Sequence, residues 1–105
     1  MYEGLIDNVQ EFSMPADVQI EKWQGFAVAD EIASDFSDIA LKYAKELLEN
    51  EWLTLTQYRL FLEIDKRLAG MSKQKDLWSV EALRSADDWE ECRAKGRELL
   101  KALGD

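Results

Sequence analysis

A chain of 105 residues with 47% apolar and 33% charged side chains has the profile of one globular domain and not of a disordered segment. One cysteine and no histidine exclude an intramolecular disulfide and a thiolate zinc site within one chain, and remove the commonest general base and metal ligand near neutral pH. The formal net charge of −9 opposes contact with nucleic acid and with anionic lipid.

That charge is unevenly placed. Residues 1–50 carry 11 acids against 3 bases, whereas residues 51–105 carry 11 against 10. No run approaches the ~20 apolar residues of a membrane-spanning helix, so no membrane is expected. Met1-Tyr2-Glu3-Gly4 lacks the basic start and apolar run of a signal peptide. With its single thiol, the chain is expected in the reducing cytoplasm.

Residues 3–12 place Leu5, Ile6, Val9 and Phe12 at helical spacing and predict a short helix. Ser13-Met14-Pro15 ends it, and Ser13 is the expected cap of a second short helix with Pro15 in its first turn. Val18 and Ile20 alternate with polar residues, so a short strand within residues 17–23 is the alternative. These first 26 residues therefore stay open between short helices and a small strand. From Ala27 to Asn50 the pattern is clearer. Val28, Ile32, Phe36, Ile39, Tyr43 and Leu47 form one stripe on a long helix that Asn50 stops.

After the corner Glu51-Trp52-Leu53, Thr54 or Thr56 caps a helix through Ala69, with Gly70 as its left-handed stop. Leu55, Tyr58, Leu60, Phe61, Leu62, Ile64 and Leu68 span most of its circumference and predict a central position. A polar, basic loop follows over residues 70–75, then a short helix from about Asp76 to Arg84. Ser85, with Asp88, is the expected cap of the last helix. Trp89, Cys92, Gly96, Leu99 and Leu103 step three, four, three, four along a seam. The expectation is an all-α domain over residues 1–105, a four- to five-helix bundle with short turns.

No glycine-rich phosphate loop, nucleophile elbow or calcium loop is present, and no cofactor, metal or catalytic residue is expected. Cys92 lies on the seam and reads as buried core. Gly96 costs ~1 kcal/mol in a helix relative to alanine, which close approach of a neighbour would explain. Asp65 falls inside an apolar arc. It is either tied to a tyrosine, an arginine or a helix N-terminus, or it opens toward a basic partner.

Asp87, Asp88, Glu90 and Glu91 suit the positive end of the last helix dipole, with Arg93, Lys95, Arg97 and Lys101 beyond them. Four-residue spacing allows Glu91–Lys95, Arg59–Glu63, Glu63–Arg67, Asp38–Lys42, Lys42–Glu46 and Lys45–Glu49 to pair. Glu3, Asp7 and Glu11, Asp17 and Glu21, and Asp30, Glu31 and Asp35 have few or no bases nearby. A patch of Lys66, Arg67, Lys73 and Lys75 is too small to make nucleic-acid binding the expected role. Of four tryptophans, Trp89 reads as core, while Trp23, Trp52 and Trp78 lie near turns, where an indole serves as core edge or interface anchor.

In profile alone, small, acidic, helical and cysteine-poor, the chain resembles bacterial toxin-immunity proteins, antitoxins and phage-encoded inhibitors of nucleic-acid enzymes, although no motif carries the resemblance. It implies a non-enzymatic protein-binding module that neutralises a basic surface such as that of a nuclease toxin. The candidate partner-binding residues are Asp17, Glu21, Trp23, Asp30, Glu31, Asp35, Trp52 and Asp65. The alternative is a homo-oligomeric scaffold, a homodimer for instance, that pairs through the Trp89–Leu103 seam.

Overall fold

A computed structural model describes residues 2–104. It is an all-α bundle, and no strand occurs among the described residues. The chain runs through α1 (Tyr2–Ser13), α2 (Ala16–Lys22), α3 (Val28–Ser34), a π-helical segment (Asp35–Ala40), α4 (Leu41–Glu49), α5 (Leu55–Met71), a 3₁₀ turn (Lys75–Trp78), α6 (Val80–Ser85) and α7 (Asp87–Ala102).

The first 26 residues form two helices. Residues 17–23 belong to α2 and its C-cap and form no strand, because Val18 is exposed and Gln19 is the buried residue. Gln19 Nε2 donates to the Phe12 and Glu11 carbonyls, tying α2 to the end of α1. Ser13 is not a cap. It is the last residue of α1, it is buried, and its hydroxyl donates to the Val9 carbonyl at 2.7 Å. Pro15 occupies the N-cap position of α2 instead.

The long helix over residues 28–49 is continuous but slips in its middle. The Leu41 N–H bonds to the Phe36 carbonyl, a π-type bond that adds one residue to the turn. Beyond that point the buried stripe continues through Ala40, Ala44 and Leu47, leaving Ile39 exposed and Tyr43 half-buried. The stripe expected from spacing is thus correct through Phe36 and at Leu47, but one residue out between them.

Thr54 caps α5 with a full capping box shared with Gln57. α5 runs on through Gly70 to Met71, and Gly70 is helical, so it is not a left-handed stop. The wide apolar arc does not make α5 central. Phe61, Ile64, Leu68 and Met71 are buried on one side, while Leu55 and Leu62 face solvent. Ser79 caps α6 through the Ala82 N–H, and α7 begins after Ala86 without a side-chain cap. Ser85 bonds back to the Glu81 carbonyl and does not cap α7.

The seam on α7 is as the spacing predicts. Trp89, Cys92, Gly96, Leu99 and Leu103 are all buried, packed chiefly on α1 and α5. Phe36 is the centre of the core, with Phe12 at 4.7 Å and Phe61 at 6.0 Å between ring centroids. Trp89 donates its indole N–H to the Leu77 carbonyl and meets Trp78 edge-on at 5.4 Å. Burial of such rings is the main stabilising term, at roughly 25 cal/mol per Å² of apolar surface.

The ion pairs join helices more than they run along them. Arg67–Glu91 and Lys95–Glu63 link α5 to α7, Arg84–Asp17 links α6 to α2, and Lys22–Glu11 links α2 to α1. Within α7, Glu90 is shared by Arg93 and Arg97. None of the six four-residue pairs allowed by spacing forms among the described residues; Glu91 and Glu63 pair across helices with Arg67 and Lys95 instead.

Candidate functional site

The turn between α2 and α3 builds the most distinctive surface. α2 ends on Trp23, whose N–H bonds to the Gln19 carbonyl, and Gly25 turns the chain at φ 91°, a left-handed conformation that glycine adopts without steric cost. This turn throws Phe26 outward. Its ring is 65% exposed and meets the Trp23 indole edge-on at 6.3 Å. Lys22 lies 5.5 Å from the Trp23 ring, a cation–π contact, while also pairing with Glu11.

Carboxylates gather beside these rings. Glu11, Asn8 and Phe12 of α1, Trp23, and Ile32 and Asp35 line one shallow depression. Burial is the first cause that raises the Asp35 carboxyl above its ordinary range, and repulsion from Glu31 and Glu11 adds to it, with Lys22 opposing. Asp30 and Glu31 stand in the first turn of α3. Among the described residues, Asp30, Glu31 and Asp35 make no ion pair.

Of the residues expected from sequence, Trp23 and Asp35 meet here, Glu31 is near enough to repel Asp35, Asp30 is one residue from Glu31, and Glu21 is two residues from Trp23. Asp17 lies further along α2 and pairs with Arg84 at 3.0 Å. Trp52 is remote, at the corner between α4 and α5. Asp65 is remote as well. It is half-buried and accepts a hydrogen bond at 2.8 Å from Ser37 in the π segment, so its tie is to a serine and not to the tyrosine, arginine or helix end expected. It lines an open groove of about 230 Å³ with Ser34, Asp38, Ser72 and Trp78.

Glu11, one of the acids without nearby bases in the sequence, belongs to the patch and pairs with Lys22, whereas Phe26 carries no signal in the helical spacing. The signal for Phe26 is local: an aromatic directly after a turn glycine has no helical face to join. Cys92 is buried 3.7 Å from the Met71 sulfur, and burial pushes its thiol up to about 11, so it is no nucleophile at neutral pH. Among the described residues, no group of three or more acids and cysteines is placed to hold a metal ion, and no helix is long and apolar enough to cross a membrane. Comparison with family models, with curated proteins and with solved structures gives no match to this chain.

Proposed function

We propose that this chain is a non-catalytic protein-binding module that covers a basic protein surface, in the manner of an inhibitor or immunity protein acting on a nuclease toxin. One observation carries the reading. The exposed Phe26 meets the half-buried Trp23, which lines a depression with Glu11 and Asp35, and burial first, then repulsion from Glu31 and Glu11, raises the Asp35 carboxyl. Aromatic rings supply short-range contact area, and Glu31 and Asp35, which make no ion pair, steer a cationic partner and fix its register. A basic group arriving here relieves the repulsion among these carboxylates, which rewards binding electrostatically.

The test is the association rate with the native partner protein isolated on the chain. Reversing Asp30, Glu31 and Asp35 together to lysine should slow association by roughly tenfold and flatten its salt dependence. Phe26→Ala should instead speed dissociation. An unchanged association rate in the triple variant would remove this face from the proposal.

The homo-oligomeric reading loses its expected surface, since the α7 seam is buried within one chain. What is left to it is the outer face of α5, where Leu55 and Leu62 are exposed. Sedimentation at micromolar concentration separates the two readings, because a strict monomer is incompatible with the scaffold role.

A further inference from the structure

A separate groove lies at the opposite end of α1 from the aromatic–acidic patch. Tyr2 and Glu3, in the first turn of α1, face Leu47, Asn50 and Trp52 at the end of α4 and enclose about 440 Å³. Roughly 13 Å of helix separates this end of α1 from Glu11 and Phe12.

The way α4 stops makes the groove. The Trp52 N–H bonds to the Leu47 carbonyl at 2.8 Å, and the Glu51 N–H to the Leu48 carbonyl at 3.1 Å. Glu51 between them is left-handed, with φ 64°. This is a Schellman stop, which returns the residue after the left-handed position toward the last helical turn. That residue is Trp52, which lines the groove together with Leu47 and is 69% exposed. An indole left this open at a fixed position is a wide apolar face without cover.

The charged side chains along this groove are acids. Glu3 lines the groove, Asp7 follows one turn later on α1, and the exposed Glu49 and Glu51 flank Asn50. The carbonyl end of the α4 dipole and the N–H end of the α1 dipole meet here with opposite sign, so the acidic side chains set the local charge. Among the described residues, no lysine or arginine lines the groove. Asn50 spends its side-chain N–H on the Glu46 carbonyl at 2.9 Å, which leaves its amide oxygen as an acceptor.

We infer that this groove seats an arginine side chain from a basic, extended peptide segment. The guanidinium stacks on the Trp52 indole, and its N–H groups reach the Glu3 carboxylate and the Asn50 oxygen. Leu47 and Tyr2 take the methylene stem. Arginine fits better than lysine because its cation is planar, weakly hydrated and able to stack while it donates in several directions. The inference does not depend on the Trp23–Phe26 patch, since no residue is shared.

The experiment titrates the full chain with two eight-residue peptides of glycine and serine, one with three arginines and the other with lysines at the same positions. Indole and side-chain amide signals are followed by NMR. The expected result is a shift of the Trp52 indole N–H and the Asn50 amide, with the arginine peptide bound at least ~5-fold more tightly. Trp52→Ala should weaken binding by ~10-fold or more and Glu3→Gln by ~3-fold, while Trp23→Ala leaves it unchanged. Helical content, checked by circular dichroism, should survive Trp52→Ala because the indole is exposed. Equal affinity for both peptides, or binding untouched by Trp52→Ala, would show only general charge attraction and overturn the inference. So would shifts confined to Trp23 and its neighbours, no shift at millimolar peptide, or self-association of the free chain that Trp52→Ala abolishes.

Discussion

Gly96 of α7 faces Ser13 of α1 so closely that a Cβ built on Gly96 would overlap the Ser13 hydroxyl and lie 3.3 Å from the Phe12 ring. The contact is between the two helices that pack together most extensively. Gly96→Ala should therefore destabilise by ~1–3 kcal/mol, although alanine gains ~1 kcal/mol in helix propensity. Adding Ser13→Gly should recover part of the loss. Urea denaturation of the single and double variants measures both; a stabilised single variant would contradict the close approach.

Arg93 is the second position where packing decides. It is 3% exposed, and its guanidinium donates to the Leu83 carbonyl at 3.1 Å and to Glu90 at 3.1 Å, with Gln19 at 3.5 Å. It therefore joins α7 to α6 and α2. Arg93→Ala should cost ~2–4 kcal/mol, because it strands a buried carbonyl and an amide as well as opening a void. Glu90→Gln should cost under ~1 kcal/mol, since Glu90 is exposed. Chemical denaturation of the two variants side by side checks the ranking.

These two positions show what the sequence can and cannot carry. Gly96 is legible, because a glycine on a seam of period 3.5 implies a close neighbour. Arg93 is not, because a charged residue one step off the seam reads as solvated, and only the arrival of Leu83 and Gln19 makes burial tolerable. The slip after Phe36 is hidden for a similar reason. Spacing fixes a stripe only while each turn holds the same number of residues, and the π bond between Leu41 and Phe36 changes that number. In the candidate patch, Glu31 and Asp35 are legible as acids with no base within one turn of them. The contribution of Glu11 depends on how α1 crosses α3, which no local pattern encodes.

Glu51 holds a left-handed backbone without being glycine. For an L-residue that conformation costs roughly 1 kcal/mol, and glycine is the usual occupant of this position in a Schellman stop. Glu51→Gly should raise stability by ~0.5–1 kcal/mol, after allowing for the greater freedom of glycine in the unfolded chain. Thermal unfolding gives the sign, and Glu51→Ala, which keeps the strain, should show no such gain.

Asp35 and Glu90 should respond to pH in opposite senses. Burial, with repulsion from Glu31 and Glu11, holds the folded-state Asp35 value above its unfolded one. Its contribution to stability is therefore complete below the unfolded value and is lost as pH rises through the folded one. Asp35→Asn should melt above the parent at pH 7 and converge with it below the ordinary carboxylate range. Hydrogen bonds from Arg97 and then Arg93 hold Glu90 below its ordinary value, so its contribution is present above the unfolded value and is lost as pH falls through the folded one. Glu90→Gln should melt below the parent at pH 7 and converge in acid. Melting temperatures from pH 3 to 7 test both, and parallel curves would refute the assignment.

The Tyr2 hydroxyl donates to the Leu103 carbonyl at 2.8 Å, across 101 positions of chain. During synthesis on the ribosome, α1 is thus delivered long before the surface of α7 that covers it. Until then Leu5, Val9 and Phe12 lack the cover that α7 gives them. Closing so long a loop also sets a slower folding rate than neighbouring helix pairs alone would give. The same closeness would let a short linker join Tyr2 to Leu103 in a permuted domain, with a new opening cut at the solvent-facing Ser72–Gln74 loop.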